Sequence, residues 1–504
     1  MAVNNSNSKS LFKNEKRKVH VHNFGCKSNL ADSYELKRQF LADGFKNSAT
    51  LENSDVVVIN TCAVTDEATK QAVRFTKKAL LESPNAKVVV TGCAAEVEPH
   101  RFTALSSERI KVIGNGDKPR LLDLLQAPEQ STDLNSQVLG SVKPYQSFLS
   151  VHPADRDWYE PKYGDGFGVT GMEATEAEGV YPTRAFFKVQ EGCNSFCTYC
   201  IIPYGRGPSR SLSAEVITDQ INTLAQAGVQ EVVLTATNLG DYQDENLLKN
   251  PSHSSESLLA LLKKLDLETS IPRIRLTSLD PDELTEEFVS FCLKSNRICA
   301  HFHVSIQSLT DTVLKRMKRK YKLKQIERVF AQIEKHNQEN LVSSKRAFVG
   351  VDLITGFPGE SESEFEEAFQ WLSANQAWDR LHVFPYSERA ETPATKLPQV
   401  VRQEIRVQRA KRLRDLSQER QKQSYKSLLK AVPELAPQVL WEQSTIMGPD
   451  GTREWLSGYT PNYFRILKRR SDQELDIRKP EHVPLRRGHL WLDVRNQDVS
   501  FYLF

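Results

Sequence analysis

The sequence predicts an α/β protein in three parts: an N-terminal parallel βαβ domain, a central partial (β/α)6 barrel and a small C-terminal all-β domain. Three observations predict it. Short apolar runs alternate with helical stretches in two separate series, before residue 126 and after residue 182. The stretch between them turns Ser-, Gly-, Pro- and Asp-rich and loses periodicity, as a linker or surface insertion does. From about Val432 onward short apolar and polar runs alternate between turn residues. A chain of 504 residues, 39% hydrophobic and 26% charged, suits several soluble cores, and a net charge of +3 says little about partners.

Residues 1–17 are polar, lack the apolar run of a secretory signal and are expected to be a disordered tail. No run of about 18 apolar residues occurs, so no membrane span is expected and the cytoplasm is the expected compartment. Thiols stay reduced there, so clustered cysteines read as metal or catalytic sites rather than disulfides.

The first domain, 18–125, has strands at Lys18–Gly25, Asp55–Cys62, Lys87–Cys93 and Ile110–Asn115, with helices at Asn29–Gly44 and Asp66–Glu82. In parallel sheets ligands gather at the carboxyl ends of the strands. Cys26, Cys62 and Cys93 each stand at such an end. A single strand-end cysteine is usually a small core residue, whereas three in the same topological position suggest a shared site.

The second series, within 183–430, has strands at Arg184–Gln190, Glu231–Thr237, Arg273–Leu279, His301–Ser308, Ala347–Phe357 and Arg380–Ser387. Six βα units make a partial or open barrel, whose active site belongs at the C-terminal strand face. The loop after the first strand, EGCNSFCTYCIIPYGRGPSRS (Glu191–Ser211), lies on that face. His301 and His303 sit on one strand, one expected to face the barrel and the other its helical coat. Cys292 and Cys299 read as buried core residues. A basic helix is expected from Pro398 to Lys430.

Cys193, Cys197 and Cys200 follow C-x3-C-x2-C spacing. Zinc would take four ligands at C-x2-4-C knuckles, and no fourth is near. A [4Fe–4S] cluster on three thiolates leaves one iron without a protein ligand, where a cofactor can bind. The pattern, with Tyr199 before the last cysteine, resembles the radical S-adenosylmethionine (SAM) superfamily. The resemblance implies that SAM chelates the open iron and is cleaved to a 5′-deoxyadenosyl radical. With the three upstream cysteines and the C-terminal β part, nearly the whole chain resembles the methylthiotransferase family. That implies a second, auxiliary [4Fe–4S] cluster on Cys26 (NFGCKSNLADS), Cys62 (INTCAVTDEA) and Cys93 (VTGCAAEVEP).

NTCAVTDEA, TGCAAEVEP, the RG-x-x-RS ending (Arg206, Gly207, Arg210, Ser211), VDLITGFPGESESEF and HVFPYSERAETPA look most like the tRNA threonylcarbamoyladenosine branch. The implied reaction puts a methylthio group at C2 of N6-threonylcarbamoyladenosine beside the anticodon. Alternatives are an isopentenyladenosine tRNA or a ribosomal protein as acceptor and, in another class, a zinc-containing RNA-binding protein without catalysis. The chain departs from the family at Ala236 and Leu309, where glycine is usual, which puts the details of the SAM pocket in question. Asn238 and Gln307, with Tyr199, are carried over as SAM contacts. The C-terminal part, 431–504, resembles the OB-like TRAM domain. Arg206, Arg210, Tyr459, Tyr463, Lys468, Arg469 and Arg470 combine phosphate-neutralising charge with stacking surfaces and are expected at the RNA. The basic helix and the run Lys315–Lys324 extend that expectation. An electron-donor protein as partner and a monomeric state complete the reading.

Overall fold

The computed structural model describes residues 17–106, 108–126, 183–248, 254–340, 345–431, 438–446, 451–452, 454–470, 481–482, 488–493 and 498–503. The expected tail and the 126–182 linker fall almost wholly outside the described residues. The chain divides into two compact units, Met1–Ala63 with Glu67–Lys162, and Val64–Asp66 with Tyr163–Phe504.

The first unit holds strands β1 (Lys18–Asn23), β2 (Lys46–Asn47), β3 (Val56–Thr61), β4 (Lys87–Gly92) and β5 (Ile110–Val112) in one sheet. All pair in parallel, in the order β2-β1-β3-β4-β5. The apolar runs VVVI and VVV make β3 and β4 central strands because helices cover both faces of a parallel sheet. Helices Lys27–Ala42 and Asp66–Glu82 supply part of that cover. Leu36 and Phe40 of the first helix pack with Val19, Val56, Val58 and Val89 in the core. The strand order reverses between β1 and β3, which opens the crevice where such sheets bind ligands. Strand β2 is only two residues long, too short to leave a pattern in the sequence.

In the second unit the six expected strands form as β6 (Arg184–Glu191), β8 (Glu231–Ala236), β9 with β10 (Arg273–Leu276, Ser278–Leu279), β11 (His301–Gln307), β12 (Phe348–Thr355) and β13 (Arg380–Pro385). A short β7 (Arg210–Ser211) turns back antiparallel on β6. The third expected strand breaks at Thr277, so the barrel wall consists of two four-stranded sheets, β7-β6-β8-β9 and β10-β11-β12-β13. Alternate residues face opposite sides. Phe187, Val232, Ile274, Phe302, Val304, Val349, Val351 and Leu381 enter the core beneath the helices. Lys188, Thr235, His303, Asp352 and His382 therefore take the inner face. His301 and His303, two residues apart, share that face, which corrects the expectation that they point oppositely.

The C-terminal part is a sheet ordered β17-β14-β15-β16-β19-β18, comprising β14 (Gln438–Ile446), β15 (Trp455–Tyr459), β16 (Arg465–Arg469), β17 (Glu481–His482), β18 (Gly488–Asp493) and β19 (Asp498–Leu503). It is antiparallel except for β16 with β19. Expected as a separate domain, it belongs to the same compact unit as the barrel. The joint lies at the N-terminal ends of the barrel strands. Arg275 reaches Pro461 O (3.1 Å) and Thr460 O (3.3 Å), and Arg273 reaches Gln438 O (2.9 Å). Arg184 stands over the Tyr459 ring and Arg275 over the Tyr463 ring, 4.9 and 4.7 Å from the centroids. Tyr463 also meets His301. The surfaces that Tyr459 and Tyr463 were expected to offer to RNA bases are thus taken by the barrel's own arginines.

The basic helix runs Gln403–Ala431. Arg409 pairs with Glu360 and Glu362 (2.7 Å each), Arg406 with Glu388 (2.8 Å), and Arg420 lies over Trp378. These arginines face the barrel rather than an open RNA footprint, because a stem that buries its methylenes can bring its charge to a carboxylate of the barrel, buried as Glu360 or exposed as Glu362 and Glu388. Among the described residues no helix is long and apolar enough to cross a membrane.

Candidate functional site

In the first unit the cysteines follow neighbouring strand ends. Thr61 pairs with Gly92 in register, so Cys62 and Cys93 leave adjacent strands side by side, and Cys26 follows β1, which pairs with β3 at Asn23 and Asn60. Cys26 is the N-cap of its helix, and Cys93 opens a short helix. Helix N-termini favour thiolates. Gly25 has φ +106°, and a Cβ there would sit 2.7 Å from Cys62 Sγ, so only glycine lets the chain pass this sulfur. Asn29 ties the crevice by donating to Phe24 O (2.7 Å) and Thr61 O (2.9 Å). Its Oδ1 lies 3.9 Å from Cys93 Sγ, and Asn115 Nδ2 approaches the same sulfur at 3.8 Å. Among the described residues no three His, Cys, Asp or Glu side chains are placed to hold a single metal ion. A cubane differs from an ion in that each thiolate takes its own iron.

In the second unit the loop after β6 carries the other three cysteines. Gly192 has φ +77°, and a Cβ there would fall 1.9 Å from Pro208 O, so the loop doubles back on itself only through glycine. Cys193 N donates to Gly207 O (3.1 Å) and Cys200 N to Cys197 O (3.0 Å), which curls the thiols inward. Burial and the nearby Asp241 push the Cys193 thiol up to about 12, and burial with the neighbouring Cys197 and Cys193 sulfurs raises Cys200 further. Burial opposes ionisation of the Cys193 and Cys200 thiols, and with Cys197 they form a donor set suited to cationic iron, which deprotonates a coordinating thiol outright. The residues fit the cluster.

Four side chains at this site escaped the sequence reading. Gln190 donates to Gly192 O (2.7 Å) and Ser209 Oγ (2.8 Å), while its Oε1 accepts from Thr237 N (3.2 Å) and Asn238 N (3.1 Å). It thereby ties the ends of β6 and β8 under the loop. Glu191 gathers Lys188, Arg206 and Arg210. Arg319 donates to Cys197 Sγ (2.9 Å), pairs with Asp280 and lies over Tyr321. Nothing marked Gln190 or Asp280, and Arg319 was hidden in the charge run Lys315–Lys324.

The expected SAM contacts lie around this loop. Tyr199 packs edge-on against Phe357, and its hydroxyl meets Arg319 at 3.4 Å. Asn238 Nδ2 reaches Ser195 Oγ at 3.4 Å. Gln307 ends β11 beyond a register shift with φ +57°, a left-handed backbone that re-aims the side chain. Leu309 is 3% exposed within the barrel core, and Ala236 packs at the core's margin. The isobutyl group is absorbed by the core.

The residues expected at RNA separate. Arg206 has a side chain 1% exposed and sealed against Glu191, so it braces the loop and presents nothing to RNA, a correction. Arg210 is half-buried, with Nη1 on Arg206 O (3.0 Å). Lys468 is half-buried, Arg469 pairs with Glu454 at 2.8 Å on the surface, and Arg470 is exposed.

A radical SAM superfamily profile matches residues 187–372, and one for the uncharacterized protein family UPF0004 matches 18–114. The threonylcarbamoyladenosine tRNA methylthiotransferase MtaB of Bacillus subtilis is 31% identical over 89% of this chain and 90% of its own length. Those of Aquifex aeolicus and Rickettsia prowazekii are 34% and 35% identical over 81% and 78% of this chain, and 90% and 80% of theirs. The chain belongs to the radical SAM methylthiotransferase family. Membership implies SAM and a [4Fe–4S] cluster. A solved radical SAM methyltransferase, TsrM from Kitasatospora setae with cobalamin and a [4Fe-4S] cluster bound, shares the fold (TM-score 0.50, 14% identity, 75% of this chain and 77% of that one).

Proposed function

We propose that this methylthiotransferase acts on tRNA, replacing the C2 hydrogen of N6-threonylcarbamoyladenosine beside the anticodon with a methylthio group. The observation that carries the reading is the presence of two three-cysteine sites at parallel strand ends in one chain, in a family whose relatives above bear that activity in their names. With SAM, the cluster on Cys193, Cys197 and Cys200 supplies the radical chemistry. The chain's own part is to hold and shield. Gln190 and Gly192 set the loop, Arg319 steadies Cys197, and Tyr199, Asn238 and Gln307 line the SAM site.

Residues 18–125 carry a second [4Fe–4S] cluster on Cys26, Cys62 and Cys93, 183–430 form the radical SAM core, and 431–504 are a TRAM-like RNA-binding part. Arg210, Lys468, Arg469 and Arg470 remain the RNA-facing set. An electron-donor protein, a monomeric state and a cytoplasmic setting complete the proposal. The isopentenyladenosine, ribosomal-protein and zinc alternatives are not favoured by the relatives.

Nucleoside mass spectrometry of tRNA from a strain lacking the protein tests the substrate: 2-methylthio-threonylcarbamoyladenosine should vanish, and its persistence refutes the assignment. Iron analysis of anaerobically purified protein should give about eight irons, and about four after replacing Cys26, Cys62 and Cys93 by alanine. Four irons in the unaltered protein would remove the second cluster.

A further inference from the structure

The run Lys315–Lys324 holds five lysines and two arginines without an acidic residue, and nothing in the site described above uses its lysines. From Met317 onward the side chains alternate. Met317 is fully buried in a cluster with Phe357 and Tyr386, against which Tyr199 packs. Arg319 keeps 6% of its side chain exposed, Tyr321 is buried, and Leu323 packs against the barrel core. Between them Lys318, Lys320, Lys322 and Lys324 are exposed, as is Lys315.

The inward set fixes the run to the cysteine loop. Thr198, which lies between the ligands Cys197 and Cys200, donates from its backbone N to Met317 O (3.1 Å) and from Oγ1 to Arg316 O (2.9 Å). Arg319 donates to Cys197 Sγ (2.9 Å) and, from Nε, to the Tyr321 hydroxyl (2.8 Å). A single arginine therefore separates the exposed lysines from a sulfur of the core cluster site. Cleavage of SAM consumes one electron, and electron transfer weakens steeply with distance. A donor gains by docking where the protein over the cluster is this thin. RNA is the weaker fit. Tyr321, the one aromatic ring of the run, lies beneath Arg319, and both arginines, whose forks suit phosphate, turn inward to Asp280 and Glu364. Lysines are point charges on flexible stems, and they suit the small, salt-dependent encounters that redox partners make.

We propose that the exposed lysines of the run Lys315–Lys324 are the docking surface for an acidic one-electron carrier protein, which reduces the core cluster across the Arg319–Cys197 contact. This rests on the electron-donor reading above and deepens it. One electron leaves the carrier, which is oxidised, and enters the cluster, which is reduced; no covalent bond forms or breaks.

The probe is reduced plant-type ferredoxin, a low-potential [2Fe–2S] carrier with an acidic surface, added to the anaerobically reconstituted full-length enzyme. Affinity is measured by calorimetric titration, and the rate of cluster reduction by stopped-flow absorbance, with dithionite as the small-molecule comparison. Combining Lys315→Glu, Lys318→Glu and Lys324→Glu should weaken the affinity and slow ferredoxin-driven reduction by about 10- to 100-fold, while reduction by dithionite stays as it is. Added salt should weaken the unaltered complex, since screening acts on exposed charges. Carbodiimide coupling of ferredoxin carboxylates to the unaltered enzyme, mapped by mass spectrometry, keeps the test open should the variant misfold: the cross-links should fall on these lysines. Unchanged affinity and rate in the variant overturn the docking surface, as do cross-links found only elsewhere. A variant that keeps its affinity for ferredoxin but loses it for an anticodon stem-loop RNA assigns the run to RNA, and the proposal falls. If dithionite reduces the unaltered enzyme and ferredoxin does not, the electron-donor reading itself has failed, and the surface with it.

Discussion

Glu231 is a fully buried charge held by two arginines, and its removal has a calculable cost. It lies at the start of β8 with a fully buried side chain, bonded by Arg275 at 2.8 and 2.9 Å and by Arg184 at 3.0 Å. Burial alone would raise its pKa, but Arg275 and Arg184 overcome this and hold the carboxyl down at about 2. Against an ordinary value of 4.5, the shift corresponds to roughly 3 kcal/mol of folded-state preference for the charged form. Independently, breaking a buried ion pair by removing one partner costs about 3–5 kcal/mol, because the other charge is stranded. Glu231→Gln leaves two buried guanidiniums, and Arg275 is also a clasp of the C-terminal sheet. Urea denaturation at pH 7 should therefore show a loss of about 3 kcal/mol. The pH dependence has a fixed sign: for a depressed carboxyl the stabilisation is complete above about pH 5 and is lost as pH falls through about 4 toward about 2. The Glu231→Gln substitution should erase that component of acid sensitivity. A loss below about 1 kcal/mol at pH 7, or an unchanged acid limb, would refute the assignment of the joint's stability to this triad.

Gly192→Ala forces a Cβ to within 1.9 Å of Pro208 O at φ +77°, so the variant should lose the core cluster and, by iron analysis, about four irons. Arg319→Met removes the hydrogen bond to Cys197 Sγ. The core cluster's potential, followed by electron paramagnetic resonance in a redox titration, should move to more negative values, and an unchanged potential would exclude this role. Leu309→Ala should destabilise the barrel by about 2–5 kcal/mol in thermal or denaturant unfolding. A neutral result would mean that the isobutyl group does not fill the core.

Much of the fold was legible because strand runs such as DVVVINTC and KVVVTGC announce both a buried parallel strand and the cysteine at its end. What could not be read has identifiable physical causes. A two-residue strand such as β2 has no period, and the break at Thr277 divides the run RIRLTSL without a glycine or proline to mark it. The inner-face position of both His301 and His303 was recoverable from strand alternation alone. Arg319 and Asp280 are 39 residues apart and meet because the strands that precede them, β10 and β11, pair as neighbours. The basic and aromatic pattern around Tyr459–Arg470 was ambiguous in principle. A tyrosine ring stacks under arginine as readily as under a nucleobase, and composition does not say whether the arginine is the chain's own.

That ambiguity, once resolved, orders the molecule. Tyr463, His301 and the Arg184–Glu231–Arg275 triad occupy the N-terminal end of the barrel, where fold stability is invested. The cysteine loop, Arg319 and the ends of β11 and β12 occupy the opposite end. Tyr459 and Tyr463 of the C-terminal sheet spend ring faces on the barrel. In the tRNA reading proposed above, its described outer residues Lys468, Arg469 and Arg470 would meet RNA as charge without stacking surface. Such contacts position a phosphate backbone without reading sequence.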